Sequence, residues 1–276
     1  MCSECLHPLR SPFSRPAALL VLSLAVSSIS AQTVNWTGAG SDNAWDNPAN
    51  WDAGVPNAST AEVFLGAGND VSIPEGVQAV FGASSGDGSL FGPEWGGTLD
   101  IHGSLEYRWY MHPVGAADNR ATINLHGSIS GEGIGLGQNW FFNDGPYVTM
   151  NLFESSSVNI NYMFWGGELN LHGGTFSTGG MNLDNPGLVS DATRRMDITE
   201  GTLILRDADG VDWATAVSDW INRGILVAYD GAGWIEIDTT SVAGQTIVTA
   251  SIPEPSAVAL PVLGAVALAS LLRRRR

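Results

Sequence analysis

Three histidines recur at one position of a short repeated motif and could do metal chemistry. His102, His126 and His172 each follow an apolar–polar–apolar triplet and precede a glycine. Since imidazole is the commonest metal ligand in proteins, histidines stacked in successive units of a repeat would form a metal-binding ladder. The gap between His126 and His172 leaves room for a unit without histidine, which interrupts such a ladder. We therefore predict turn-flanking polar residues here and no metal site.

Acidic residues are the next candidates, because two carboxylates flanking a bond can hydrolyse a glycoside. Residues 32–252 contain 26 Asp and Glu, so pairs arise anywhere and their number selects none of them. A polysaccharide lyase needs a cationic base, yet the chain has no lysine and this segment has six arginines, of which only Arg194 and Arg195 are adjacent. The turns around Asp70 and Asp87 lack the ligand spacing of a calcium loop.

Glycine-rich stretches do not form a complete motif for phosphate binding or acyl transfer. Residues 131–137 are rich in glycine but lack the Lys-Ser/Thr pair of a phosphate-binding loop. Residues 82–86 match the bare pattern G-x-S-x-G, but no helix is predicted after them, as a nucleophile elbow requires. We therefore predict a non-enzymatic protein with no catalytic residues and no cofactor.

Aromatic side chains form the remaining group with binding chemistry, because exposed rings stack on sugar faces. Nine of them cluster near the predicted strands: Trp95, Trp109, Tyr110, Trp140, Phe141, Phe142, Tyr162, Phe164 and Trp165. We expect most of them in the core. The alternative, a carbohydrate-binding module, requires an exposed row of tryptophans on one face of the protein.

The elements that carry these residues are short strands. Four stretches alternate apolar residues with mostly acidic or amide residues and close on a glycine: residues 99–104, 123–128, 169–174 and 196–201. Period-two alternation indicates a strand with one buried face. We expect the closing glycine to supply the positive φ of a turn.

The spacing of these stretches predicts the architecture. Their first residues are 24, 46 and 27 positions apart, and Met150 begins a similar alternation inside the long gap. A recurrence of about 25 residues predicts stacked coils. The predicted fold is therefore all-β, a β-solenoid of the right-handed β-helix type. Short strands at regular spacing also fit a β-sandwich or jelly roll, which stays open as an alternative.

A helical pattern follows the repeats. Residues 212–222 place four apolar side chains on one helical face: Trp213, Val217, Trp220 and Ile221. Asp209 or Asp212 can cap the start of this helix, and Gly224 can end it. Three predicted strands come next, over residues 225–229, 234–237 and 246–249. We expect this small helix-plus-strands unit to cover the open edge of the last coil.

The segment before the repeats is rich in tryptophan, with Trp36, Trp45 and Trp51 close together. Residues 45–57 read W-D-x-x-x-N-W-x-x-G-x-P-N. This pattern resembles the opening segment of many bacterial surface proteins with β-solenoid bodies. We expect the rings to cover the first coil as an N-terminal cap.

The first 31 residues have the order of a secretory signal peptide. Arg10 and Arg15 precede an apolar run over residues 17–26, and small residues follow up to Ala31. Cleavage after Ala31 would remove both cysteines of the chain, Cys2 and Cys5. The mature protein is then expected to have neither a disulfide nor a thiol nucleophile.

The charge of the predicted mature body argues against one class of partner. Six arginines against 26 acidic residues give residues 32–252 a net charge of −20. Such a surface repels phosphate backbones, so nucleic acid is not an expected partner. Acidity also keeps a glycine-rich secreted protein soluble.

The C-terminal tail has the composition of a short membrane anchor. Residues 257–272 carry no charge and would span about 24 Å as a helix, against about 30 Å for the hydrocarbon core. Snorkelling arginines can make up the difference. Four arginines follow, and they are expected to hold the C-terminus in the cytoplasm: Arg273, Arg274, Arg275 and Arg276.

Pro253, Glu254 and Pro255, followed by this apolar run and the terminal arginines, resemble the PEP-CTERM sorting signal of Gram-negative bacteria. The family usually has Val before the first proline, where this chain has Ile252. The resemblance implies that an exosortase, a membrane-embedded transpeptidase-like enzyme, is a partner that reads the Pro-Glu-Pro. The two prolines hold the stretch extended for recognition.

These observations predict an exported, non-enzymatic surface or extracellular-matrix protein. It would be tethered to the inner membrane as a precursor and then released into the cell envelope or matrix, with exopolysaccharide as a further partner. Two alternatives stay open: a carbohydrate-binding module and a divergent polysaccharide-degrading enzyme. The expected domains are the signal peptide (1–31), the solenoid body with its N-terminal cap (32–205), the C-terminal cap (206–250) and the sorting signal (251–276) with its transmembrane helix (257–272).

Overall fold

A computed structural model of the chain describes residues 32–66, 68–82, 89–92, 96–113, 120–137, 147–182, 194–207 and 210–252, all within one compact unit. The first strands are β1 (Gln32–Asn35), β2 (Thr60–Phe64), β3 (Val71–Ile73), β4 (Gln78–Phe81), β5 (Ser89–Gly92), β6 (Thr98–Ile101), β7 (Ser104–Tyr107), β8 (Tyr110–Pro113), β9 (Ala121–Leu125) and β10 (Ser128–Leu136). The later elements are β11 (Val148–Leu152), β12 (Ser157–Trp165), β13 (Glu168–Leu171), β14 (Thr175–Thr178), β15 (Met181–Asn182), β16 (Arg195–Ile198), β17 (Thr202–Arg206), α1 (Trp213–Asn222), β18 (Leu226–Ala228), β19 (Trp234–Asp238) and β20 (Gln245–Ser251). Short 3₁₀ turns lie at Pro48–Asn50 and Tyr229–Gly231.

The strands form two long sheets built from stacked coils. One sheet runs β3-β6-β9-β11-β13-β16-β18 with every pair parallel. The other follows the same coils through β2, β5, β8, β10, β12, β14 and β17, again in parallel. The protein is therefore an all-β solenoid of about six coils. The sandwich or jelly-roll alternative is wrong, because those folds are built from antiparallel strands.

The repeated motifs lie in register, as the alternation predicts. Leu99 pairs with Ile123, and Ile123 with Met150 in the next coil. Met150 pairs with Leu169 and Leu169 with Met196. The alternation at Met150 is therefore the unit that the long gap was expected to hold. All five side chains are buried in one column at the solenoid axis.

The glycines that close the motifs serve two different purposes. Gly174 has the predicted positive φ, whereas Gly103 and Gly127 are not among the residues of positive φ, so the expected turn conformation is wrong for those two. Instead, a Cβ on Gly127 would overlap the carbonyl oxygen of Gly103 and lie 2.6 Å from that of His102. The coils approach so closely at this corner that only a residue without a side chain fits.

The tryptophan-rich segment packs against the first coil. Trp51 lies edge-on to Trp36 at 4.9 Å and to Trp45 at 4.8 Å, and its indole N–H donates to the carbonyl of Trp45 at 2.7 Å. Trp45 stacks at 6.4 Å on Phe81, which belongs to the core. Its backbone N–H also donates to Ser72 on β3 at 2.8 Å.

Asn50 holds this segment in shape. Its side-chain amide donates to the carbonyls of Asp42 and Ala44, both at 3.0 Å, and its side-chain oxygen accepts from the N–H of Gly40 at 2.8 Å. The residue is fully buried. Its side chain therefore forms hydrogen bonds with three backbone groups of the loop, which do not pair with a neighbouring strand.

The last coil ends in the predicted helix. Asp212 caps α1 by accepting from the N–H of Thr215 at 3.1 Å, and Gly224 has the positive φ of a helix end. Trp213, Val217 and Trp220 face the core, whereas Ile221 is exposed, contrary to its predicted position. β19 and β20 then add antiparallel strands to β17.

Two predicted segments lie outside the described residues. They are the signal peptide (1–31) and most of the sorting signal, including the predicted transmembrane helix (257–272). Within the described parts of the chain, no helix is long and apolar enough to cross a bilayer. β20 ends at Ser251, two residues before Pro253.

Candidate functional site

A column of hydrogen-bonded amides follows one sheet of the solenoid. Asn124 donates to Asp100 at 2.8 Å, Asn151 to Asn124 at 2.9 Å, and Asn170 to Asn151 at 2.9 Å. These side chains are half-buried and lie in register on consecutive strands. Each asparagine side chain donates to the side chain in the preceding coil. The hydrogen bonds therefore all have the same direction, and the last one is accepted by the carboxylate of Asp100.

Asp197 occupies the same column one coil further on and has different partners. Its carboxylate accepts from the backbone N–H of Asp230 at 3.0 Å and lies 3.5 Å from the guanidinium of Arg195. Arg195 also pairs with the carboxylate of Asp230, and this hydrogen bond raises the pKa of Arg195. The column therefore closes on an ion-paired turn.

The predicted histidine position forms a second column, at the corner next to the amides. His102 stacks on His126 at 4.6 Å and 2°, and His126 stacks on Phe153 at 4.4 Å and 4°. Phe153 in turn lies 5.7 Å from His172. Phe153 is thus the residue of the unit without histidine, and it fills the predicted interruption with a ring of similar shape.

The geometry of this column does not suit a metal ion. An imidazole nitrogen binds a metal in the plane of its ring, and the nearly parallel rings of His102 and His126 direct their lone pairs side by side rather than toward one point. Among the residues that the structure describes, no group of three or more His, Cys, Asp or Glu is placed to hold a metal.

An outer aromatic face is the feature with the clearest binding chemistry. It consists of Trp109, Tyr110, His112, Tyr162 and Phe164. Tyr110 contacts its neighbours at 5.4 Å (Trp109), 5.5 Å (His112) and 6.0 Å (Phe164), and Tyr162 lies 4.9 Å from Phe164. Trp109 is 49% exposed. The rings come from β8, β12 and the turn before β8, so they meet only when the coils stack.

Glycines between the tyrosines create the room for this face. Gly133 of β10 pairs with Tyr110 on one side and with Tyr162 on the other. A Cβ on Gly133 would overlap the ring of Tyr110, and a Cβ on Gly180 would lie 2.7 Å from the ring of Tyr162. Each tyrosine therefore leans over the glycine of the following coil, and rings alternate with glycines along the column.

Polar groups border the aromatic face. Asn161 donates to Glu132 at 2.9 Å. Arg206 donates to Asn159, to the hydroxyl of Ser177 at 3.2 Å and to Asn161 at 3.4 Å. Burial raises the pKa of Tyr110, and the neighbouring Glu132 adds to that shift.

His112, like Phe164, is a buried member of the outer aromatic face. It is 6% exposed, and desolvation lowers its pKa from 6.5 to about 4. Its ring stacks on that of Tyr110 at 24°. At neutral pH the imidazole is therefore uncharged and supports the tyrosine ring from below.

A helix groove continues the aromatic face where β15 meets α1. It consists of two adjoining hollows of about 290 and 270 Å³. The first is lined by Asn161, Tyr162, Gly179, Gly180, Met181, Val211 and Trp213, and the second by Met181, Asn182, Val211, Trp213, Ala216, Asp219, Trp220 and Arg223. Asp219 and Arg223 form an ion pair of 3.0 Å at its far end.

The nine aromatic residues singled out in the sequence divide into three groups. Trp109, Tyr110, Tyr162 and Phe164 meet on the outer aromatic face, where Phe164 is itself buried, whereas Trp165 belongs to the core. The other four lie outside the described residues: Trp95, Trp140, Phe141 and Phe142. In the described parts of the chain, tryptophans do not form the row that the carbohydrate-binding alternative requires, since only Trp109 and Trp234 are exposed there and Trp234 is on β19.

Some of the charged candidates lie in the fold, and the others lie outside the described residues. Asp70 accepts from the N–H of Thr98 at 2.9 Å, while Asp87 lies outside the described residues. Arg194 is 4% exposed and Arg195 points outward, so the two arginines do not act together. The sorting-motif residues (Pro253, Glu254 and Pro255) and the terminal arginines (Arg273 to Arg276) also lie outside the described parts.

Comparison of the chain with protein-family models, with curated proteins and with solved structures gives no match.

Proposed function

We propose that this chain is an exported, non-enzymatic scaffold of the cell surface or extracellular matrix. The observation that carries the proposal is the continuous stack of coils, bonded by side-chain amides along one sheet and covered at one end by tryptophans. In such a solenoid, which we take to be right-handed, each coil is stabilised by the coils on either side, and the terminal coil needs a cap. This architecture suits a structural role that needs a stable, rigid protein and no conformational change.

In this proposal, the two termini direct the export of the protein and its attachment to the inner membrane. The leader over residues 1–31 directs export, and the tail over residues 251–276 tethers the precursor to the inner membrane through a helix at 257–272. An exosortase reads Pro253, Glu254 and Pro255, and the terminal arginines keep the tail in the cytoplasm. The mature protein then resides in the envelope or matrix of a Gram-negative bacterium.

The side chains bordering the aromatic face support a role without catalysis. Glu132 accepts a hydrogen bond from Asn161. The guanidinium of Arg206 donates hydrogen bonds to Asn159, Ser177 and Asn161. Groups that hold one another in this way build a rigid surface. A glycosidase would instead need two acids facing each other across a bond.

The test is to express the full chain, with its own leader and tail, in a Gram-negative host that has an exosortase, and to measure the intact mass of the protein. We expect the protein recovered from the surface of intact cells to have an intact mass that lacks residues 1–31 and 257–276. Changing both Pro253 and Pro255 to Ala should leave the tail attached, whereas Ser256→Ala should not. Recovery of the whole chain from the cytoplasm would overturn the proposal, and a surface form that keeps its tail would replace processing by a permanent anchor.

Carbohydrate binding is a second candidate function, favoured by the outer aromatic face. Trp109 is exposed and Tyr110 and Tyr162 are partly exposed, so this aromatic surface can contact a sugar, and the polar border offers hydrogen bonds. The partner would be the exopolysaccharide in which the protein resides. Retardation of the purified chain in native gels containing the host polysaccharide would support it, and clearing of that polysaccharide would show an enzyme instead.

A further inference from the structure

We propose that the outer aromatic face and the helix groove form one extended site for a neutral, β-linked polysaccharide chain, with Tyr110 and Tyr162 stacking on sugars two residues apart. This inference rests on the second candidate function, carbohydrate binding. It adds the location of the site, the direction of the bound chain and the linkage that the site accepts.

The spacing of the rings points to the linkage. Tyr110 and Tyr162 flank Gly133, so they stand two coils apart, which is about 9–10 Å. In an extended chain of β-1,4-linked pyranoses, successive sugars are flipped, and every second sugar presents the same face. Its disaccharide repeat is close to two coil spacings. A flexible or helical α-linked chain does not keep this register.

The column continues into the helix groove. Tyr162 leans over Gly180, and both residues line the nearer hollow together with Trp213. The farther hollow follows along α1 toward Asp219 and Arg223. Each hollow is of the size that a sugar ring with its water shell requires. A chain stacked on the tyrosines would therefore run along the solenoid axis and enter the groove beside the helix.

Charge selects a neutral polymer. The body carries a net charge of −20 over residues 32–252, and Glu132 and Asp219 lie at the two parts of the site. The nearby guanidinium groups are engaged, Arg206 by Asn159 and Arg223 by Asp219. A polymer of uronic acids would meet a repelling field, whereas sugar hydroxyls can bond to Asn161, Glu132 and the phenols.

The experiment titrates the purified full-length chain, in a mild detergent, with cellohexaose, mannohexaose, maltohexaose and a hexamer of galacturonate by calorimetry. At least one of the two β-linked probes should bind, and both control probes should bind at least tenfold more weakly. Tyr110→Ala and Tyr162→Ala should each weaken binding about five- to tenfold. Trp109→Ala should weaken it similarly. Trp234→Ala is the matched control, since Trp234 is also 49% exposed but lies outside the site, and it should bind as the parent does.

A second variant guards against loss of folding. Gly180→Ala keeps every ring of the protein but displaces that of Tyr162, because the added Cβ would lie 2.7 Å from it. It should weaken binding about as much as Tyr162→Ala while the thermal midpoint stays close to that of the parent.

The possible outcomes distinguish failure of this inference from failure of the carbohydrate-binding function and of the scaffold proposal. Binding of a β-linked probe that survives all four changes within the site overturns the location and leaves carbohydrate binding intact. Equal binding of maltohexaose or of the galacturonate hexamer overturns the proposed linkage or neutrality. If none of the probes binds, the proposed site and its linkage fail, while carbohydrate binding itself is decided by the native gels with the host polysaccharide and the scaffold proposal by the surface-mass measurement.

Discussion

The side chain of Asn151 donates a 2.9 Å hydrogen bond to that of Asn124 in the preceding coil and accepts another, also of 2.9 Å, from Asn170 in the next. The three asparagines lie 27 and 19 positions apart in the sequence. They are therefore joined by the stacking of coils and not by their local sequence. None of the three side chains is fully exposed. If one asparagine of this column is removed, the donor and the acceptor that it paired with therefore have poor access to water.

Asn151→Ala should lower the free energy of unfolding by about 1–3 kcal/mol, because it removes the partner of the Asn170 side-chain N–H and the partner of the Asn124 side-chain oxygen. Urea denaturation followed by circular dichroism measures this change. Gln78→Ala serves as control, since Gln78 makes an exposed bond of 3.2 Å to Glu106. That control should cost less than about 0.5 kcal/mol. Equal effects of the two changes would contradict the cooperative column.

Gly127→Ala tests the close approach of the coils at their corner. The new Cβ would overlap the carbonyl of Gly103, and neither backbone can move without breaking the ladders on both sides. We expect a loss of about 4 kcal/mol or more, or failure to fold. Gly179→Ala is the matched control, with its closest atom at 3.0 Å, and should cost about 1 kcal/mol. A Gly127→Ala protein as stable as this control would show that the corner is looser than described.

The burial of His112 predicts a dependence of stability on pH. Its pKa falls from 6.5 to about 4 on folding, so the unfolded chain takes up a proton near pH 6.5 and the folded chain only near pH 4. The stability is fully present above pH 6.5 and is lost as the pH falls through this window. The loss attributable to His112 should reach about 3 kcal/mol at pH 4.

His112→Gln isolates this contribution. Asp42 and Asp52, whose pKa values are lowered by hydrogen bonds to Asn47 and Asn35, lose stability in acid in both proteins and cancel in the comparison. Thermal or chemical unfolding at pH 7, 5.5 and 4 should show a shallower decline for the variant. Parallel curves for the two proteins would mean that His112 is accessible to protons in the folded state.

Asn50→Ala should loosen the N-terminal segment without unfolding the solenoid. The change removes bonds to the backbone of Gly40, Asp42 and Ala44, and we expect a cost of about 2–4 kcal/mol. Hydrogen exchange should accelerate over residues 36–52 and remain slow in β9–β14. Asn47→Ala, which alters an exposed turn, should have less effect. Uniformly faster exchange along the whole chain would show that this segment is needed by every coil.

Much of the body was predictable from the sequence because its signals are local. Alternation at 99–104 and its repeats identifies the strands, and the 3.6-residue period identifies α1 with its cap at Asp212. The recurrence near 25 residues implies stacking, and the gap between His126 and His172 correctly indicated an additional coil. Ile221 was misplaced because the helix buries a narrower face than its composition suggests.

Only the tertiary structure decided which residues meet between coils. Coil lengths vary, as the separations of 24, 27 and 19 residues along the amide column show, so register depends on the turns and cannot be counted from the sequence. For the same reason Phe153 was not expected between two histidines, nor Gly133 between two tyrosines. The sequence determined the strands and the helix, because their signals are local. The stacking of coils determined the aromatic face and the groove, because contacts across coils join residues that no local pattern connects.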